Sequence, residues 1–146
     1  MSGAHAAIIL AFDFGLRRIG IASGNLLTRT ASPVTTLHAG RELPWQAIDG
    51  VVEQWRPALF VVGRPAPGGA DAITAQVERF AAALSARYGL ETAMVDEALT
   101  SYAAESALRD ARREGRRPRK LGERGEIDRH AACLIAEQWM SERHEH

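Results

Sequence analysis

Cysteine is almost absent from this sequence: Cys133 is the only one in 146 residues. An internal disulfide is therefore excluded, and the composition suits a reducing compartment. Cys133 falls in a helical apolar pattern, which predicts an inert core thiol rather than a nucleophile. Long apolar runs are missing too. No stretch approaches the roughly 18 residues of a membrane-spanning helix, and the N-terminus has neither the basic flank nor the cleavage pattern of a secretory leader. A cytoplasmic location with no membrane partner is expected. Net charge is lacking as well, because 18 Lys/Arg balance 18 Asp/Glu. Any affinity for a polyanion must then come from a local patch. Residues 66–70 (APGGA) break regular structure, but no Lys-Ser/Thr follows the glycines, which argues against a nucleotide-binding P-loop.

What remains is apolar sequence sufficient for one core at the length of one ordinary domain. Residues 1–146 read as a single domain, with 1–6 and 141–146 expected to be flexible ends. Two apolar runs, Ile8–Phe12 and Ile19–Ala22, flank a turn with Gly15 and predict a buried hairpin. Arg29–Leu37 is rich in β-branched residues and predicts a third strand, with Pro33 near an edge. A helix from Pro44 to about Trp55 carries Ile48, Val51, Val52 and Trp55 on one stripe. Leu59–Val62 is a short strand ended by Gly63-Arg64-Pro65. Asp71–Tyr88 is the clearest helix, with Ile73, Val77, Phe80, Leu84 and Tyr88 at helical spacing and Gly89 as its stop. Thr92–Val95 predicts a fifth strand, and Thr100 or Ser101 caps a helix to about Arg113. Residues 115–126 (GRRPRKLGERGE) read as a loop, and Ile127 to about Met140 as a final helix with Ala131, Leu134, Ile135 and Trp139 inward. The three leading strands form a meander, and right-handed crossovers lay the later two parallel to the first. The predicted fold is α/β, a mixed five-stranded sheet with helices on both faces, without internal repeat.

Three carboxylates stand where such a sheet concentrates chemistry. Open α/β sheets bind ligands beyond the carboxyl ends of their parallel strands. Asp13 ends the first apolar run, and Glu97 follows the fifth strand. With one strand between them, their backbones should lie about 9–10 Å apart, at roughly 4.8 Å per strand. Asp128 opens the predicted last helix. Each has an ordinary structural explanation: a turn aspartate before Gly15, an acidic turn at Asp96-Glu97, and a first-turn acid favoured by the helix dipole. Their convergence favours a metal site instead, because like charges brought together repel unless a cation neutralises them. All-oxygen ligands select Mg²⁺ or Mn²⁺, and such a site serves displacement at phosphorus.

The set AFDFGLRRIGIA, TASP, VVGRP, VDEALTS and IDRHAA, in this order, resembles the YqgF/RuvX family over about residues 7 to 140. That is a bacterial group with an RNase H-like fold, described as nucleases maturing the 5′ end of pre-16S rRNA and as Holliday-junction-resolvase-like proteins. The resemblance implies an RNase H-like nuclease domain and a role in ribosome biogenesis, with ribosome assembly factors as further partners. It also implies structured precursor rRNA or branched DNA as substrate, and by motif it assigns the acidic residues to Asp13, Glu97 and Asp128 as catalytic metal ligands. Three departures bear on substrate contact: Arg64 replaces a usual apolar residue, Gly24-Asn25 a common Ser-Asp, and the loop after Gly63 is short of the Asn-x-Asp-Gly pattern.

Residues 109–129 hold nine of the eighteen Lys/Arg against five acids, a local excess of four positive charges. Such a run is often only a solvated face, but it sits between Glu97 and Asp128, where a nuclease needs cations to hold a polyanion. Arg17, Arg18, Arg64, Arg113, Arg116, Arg117, Arg119 and Lys120 are the candidate nucleic-acid contacts. The expected activity is hydrolysis of phosphodiester bonds in precursor 16S rRNA. Its rivals are a Holliday-junction resolvase, which calls for a two-fold dimer, an actin-like ATPase, which calls for two lobes, and a non-catalytic RNA-binding assembly factor.

Overall fold

The first apolar run becomes the central strand of the sheet. The computed structural model describes residues 7–64, 71–96 and 121–144. In order these form β1 (Ile8–Phe14), β2 (Arg18–Asn25), β3 (Thr30–His38), α1 (Trp45–Trp55), β4 (Leu59–Arg64), α2 (Asp71–Tyr88), β5 (Thr92–Asp96) and α3 (Leu121–His144). The spatial order is β3-β2-β1-β4-β5. β1, β2 and β3 form the antiparallel meander, while β4 pairs parallel to β1 and β5 parallel to β4. This is the mixed five-stranded sheet that the sequence predicts. Pro33 lies on the edge strand β3, beside the irregularity at Ile21/Ala22, where a missing N–H costs least. The predicted helix from residue 100 to 113 lies outside the described residues.

Alternation along the strands divides the core into two. Leu10 and Phe12 of β1 join Ile19, Ile21, Phe60 and Val62 against Ile48 of α1 and Val77, Phe80 and Leu84 of α2. Ile9 and Ala11 point the other way, with Val61 and Val95, and meet Ile135, Ala136, Trp139 and Met140 of α3. Helices therefore cover both faces. Among the described residues no helix is long and apolar enough to cross a membrane.

The last helix differs from its sequence-based prediction. It begins at Leu121, inside the stretch read as a loop, and it continues to His144 through residues expected to belong to a flexible tail. Gly122 and Gly125 suggested breaks, but a helical glycine costs only about 1 kcal/mol relative to alanine, which the packing of α3 on β1 and β2 outweighs. The buried face is also rotated from the predicted one: Ala132, Cys133, Ile135, Ala136, Trp139 and Met140 are buried, whereas Ala131 and Leu134 are only partly so. Cys133 is the core thiol expected, its pKa pushed up to about 11 by burial and then by the Glu137 charge.

Candidate active site

Asp13 is not a turn residue. It lies within β1, directly opposite Gly20 of β2, and Gly20 in turn lies opposite Thr36 of β3. Asp13, Gly20 and Thr36 thus form a row across three adjacent strands. By strand alternation, Asp13 continues the side taken by Ile9 and Ala11, which is the side that α3 covers.

α3 descends onto that row at the glycine. A Cβ added to Gly20 would collide with the backbone carbonyl of Asp128, so only glycine lets the helix come this close. Further along β2, a Cβ on Gly24 would meet Ile9 Cγ1 at 2.8 Å and Met140 Cε at 3.3 Å. Two glycines four residues apart on one strand therefore seat the helix along its length. The result carries Asp128 to the strand neighbour of Asp13. The next residue, Arg129, reaches across to donate from Nη1 to Thr36 Oγ1 at 3.3 Å. Because α3 starts at Leu121, Asp128 is beyond its first turn, and the helix dipole no longer accounts for an acid at this position.

Arg18 completes the arrangement. Its Nε donates to Asp128 Oδ2 at 2.6 Å, with both side chains largely covered (24% and 19% exposed). The sequence suggested Arg18 as a phosphate contact, and here its guanidinium faces a carboxylate of the chain itself. A charge-assisted bond of this length in a half-buried setting fixes the carboxylate's orientation. Arg17, by contrast, is exposed at the hairpin tip, and its carbonyl accepts from Ala39 N–H at 2.8 Å.

Arg64 and Asp96 are register partners at the ends of β4 and β5, with Nη1 and Oδ1 4.0 Å apart on an exposed surface. Alternation puts Arg64 with Phe60 and Val62, on the face away from α3. Asp96 shares that opposite face, where Met94 packs. Glu97, Arg113, Arg116, Arg117, Arg119 and Lys120 lie outside the described residues. Among the described residues, no three His, Cys, Asp or Glu side chains assemble into a group that could hold a metal ion. Sequence reasoning missed Gly20 and Thr36. The Gly in RIGIA was the available signal, since an isolated glycine in a strand marks close approach of another backbone.

The sheet order, the meander and the helix crossing the β1–β2 hairpin define the class: an RNase H-like α/β fold. Thermus thermophilus RuvC, solved with a Holliday junction substrate, superposes with a TM-score of 0.55 at 14% identity, over 96% of each chain. The fowlpox virus resolvase, solved with Holliday junction DNA, gives a TM-score of 0.52 at 8% identity over 93% of this chain and 98% of that one. Sequence then narrows the class. A family model described as "RuvX: Holliday junction resolvase" matches residues 7–142, and the chain belongs to this family. Relatives named "Putative pre-16S rRNA nuclease" include one from Nitrosospira multiformis, 40% identical over 95% of this chain and 91% of its own length. Another, from Hahella chejuensis, is 39% identical over 92% and 84%.

Proposed function

We propose that the chain is a divalent-metal-dependent nuclease that hydrolyses phosphodiester bonds at the 5′ end of precursor 16S rRNA, with Asp13, Glu97 and Asp128 as its metal ligands. One observation carries the reading. The chain gives up a side chain at Gly20 so that the backbone of Asp128 packs on the strand partner of Asp13, on the sheet face that Asp13 shares. A structural role would be served better by an apolar pair.

The residues present fit a hard cation. Their donors are carboxylate oxygens, the chemistry that Mg²⁺ and Mn²⁺ select, and a carboxylate bonded to Arg18 through Oδ2 keeps Oδ1 for a second partner. When bound, such a cation activates a water for in-line attack at phosphorus and offsets charge on the leaving oxygen. The chain's own part is to hold Asp128 through Arg18 and to keep Asp13 and Asp128 at the β1–β2–α3 junction. Arg17, with the cluster at Arg113, Arg116, Arg117, Arg119 and Lys120, meets backbone phosphates without reading sequence. Arg64 joins them only by leaving Asp96, a weak exposed partner. The names of the relatives support precursor rRNA as the substrate. On this reading the chain acts in the cytoplasm beside ribosome assembly factors, and its single cysteine supports a reducing compartment. The family description favours a second reading, cleavage of four-way DNA junctions.

The test is cleavage of a pre-16S RNA fragment and of a four-way junction, each with Mn²⁺ and with EDTA. Asp13→Asn and Asp128→Asn should each lower RNA cleavage by more than about a hundredfold, beyond the usual cost of losing an outer-shell partner. Wild type should melt higher in Mn²⁺, by about 2.7 kcal/mol of added stability at a hundredfold excess over Kd, and Asp13→Asn should gain less. Full activity in EDTA would end the metal reading, and cleavage of the junction alone would move the substrate to DNA.

A further inference from the structure

Beside the end of β1, on the face away from α3, lies a groove of about 390 Å³ whose lining includes Phe14, Leu16, Arg41, Trp45, Arg79 and Phe80. The mechanism above does not use it. Its floor is aromatic: the Phe14 and Phe80 rings are 4.9 Å apart, and Trp45 stacks on Phe80 at 5.8 Å with an interplanar angle of 25°. Phe14 and Trp45 remain half-exposed, while Arg41 and Arg79 are exposed and form no ion pair among the described residues. At the rim stands Leu16, 57% exposed at the hairpin tip. Leu16 extends the aromatic floor into one apolar surface with arginines in the same lining, the kind of contiguous patch that marks a binding site.

We infer that this groove is a stacking site for an unpaired nucleotide flanking the scissile phosphate, so that the enzyme acts where a single strand leaves a duplex. The inference rests on the nuclease reading and names the substrate feature that this site selects. Three observations carry it. Aromatic faces with a neighbouring apolar lip take any base, because every base has a π-face. The arginines supply the positive charge that a sugar-phosphate backbone requires. The location couples the groove to the carboxylates: Phe14 follows Asp13 in the same strand, about 3.8 Å along the backbone, with their side chains on opposite faces. A strand held in the groove therefore reaches Asp13 by passing round the end of β1 at the hairpin. The groove wall is also fixed, since Ala39 N–H donates to the Arg17 carbonyl at 2.8 Å and ties the segment before α1 to the hairpin.

The test measures binding in EDTA, where no cleavage intervenes, of a blunt RNA duplex and of the same duplex with a short 5′ single-stranded extension. Wild type should bind the extended RNA about tenfold more tightly, within the range of one stacked base, and the extension alone should quench tryptophan fluorescence. Leu16→Ser combined with Arg79→Ser, both at exposed positions, should bring the affinity ratio close to one without changing the melting temperature. Trp45→Leu should remove the quenching. A wild-type ratio of one, or a ratio unchanged in the double variant, would overturn the inference, and metal-dependent cleavage lost in Asp13→Asn would still leave the nuclease reading standing. Failure to bind either RNA would overturn both. A dimer at assay concentrations that Leu16→Ser dissolves would assign the groove to a second copy and overturn the stacking site.

Discussion

The two faces of the sheet are packed by opposite strategies. The α1/α2 face uses large rings: Phe12 meets Phe60 at 5.7 Å and Phe80 at 5.5 Å, both edge-on, and bulky side chains hold the helices off the strands. The α3 face uses Ala11, Ala22, Ala132, Ala136 and the two glycines of β2, so the helix backbone itself comes down on the sheet. The first strategy maximises buried apolar area and hence stability. The second gives up area for proximity, and proximity is what seats Asp128 on Gly20, the strand partner of Asp13. On the proposed reading the carboxylates sit on the face packed for proximity.

The largest effect should come from the aromatic face. Phe80→Ala removes the ring that joins Phe12, Phe14 and Trp45, at about 3–5 kcal/mol, read by urea unfolding. Activity lost beyond the folded fraction would report the stacking groove, whose floor Phe80 shares with Phe14 and Trp45.

On the other face, Gly20→Ala should cost about 1–3 kcal/mol, as overpacking does. Cleavage per folded molecule should fall as well, because the methyl group displaces the start of α3 and with it Asp128. Equal loss of stability and activity would mean that the close approach serves packing alone.

Arg18→Gln sharpens the contrast without touching the core. Removing the partner of Asp128 Oδ2 should weaken metal response or turnover about 10- to 100-fold, while the salt dependence of RNA binding stays unchanged. Were Arg18 a phosphate contact, the log–log salt slope would flatten by about 0.7 on single strands.

The smallest effect belongs to the surface of the aromatic face. Asp49 of α1 accepts from Arg87 Nε and Nη2 at 2.8 and 2.7 Å and from the Tyr88 hydroxyl at 2.5 Å. The Arg87 bond, then that of Tyr88, lowers its pKa from 3.8 to about 2. The unfolded chain therefore binds more protons between these values, and the clamp's contribution is present above pH 4 and lost as pH falls towards 2. Asp49→Asn should flatten this acid limb of the stability curve and lower stability at pH 7 by the same small amount, small because the group is exposed and screened.

Sequence by itself determined the elements whose signal is local. The runs at 8–12, 19–22 and 59–62 could only be buried strands, and the spacing of Ile73, Val77, Phe80 and Leu84 could only be a helix face. Chain order and crossover handedness then set the sheet order, and the motif set named the family. Asp13 and Asp128 were legible as candidates because acids stood out against an apolar strand and before an apolar helix. Tertiary structure decided the rest. The start of α3 escaped periodicity because its first turns carry glycine and charge, and a helix there depends on the packing of later residues. The pairing of Arg18 with Asp128 joins residues 110 positions apart, and no spacing rule spans that distance. Gly20 looks in sequence like any glycine in a strand. Only the approach of another backbone shows why no side chain can stand there.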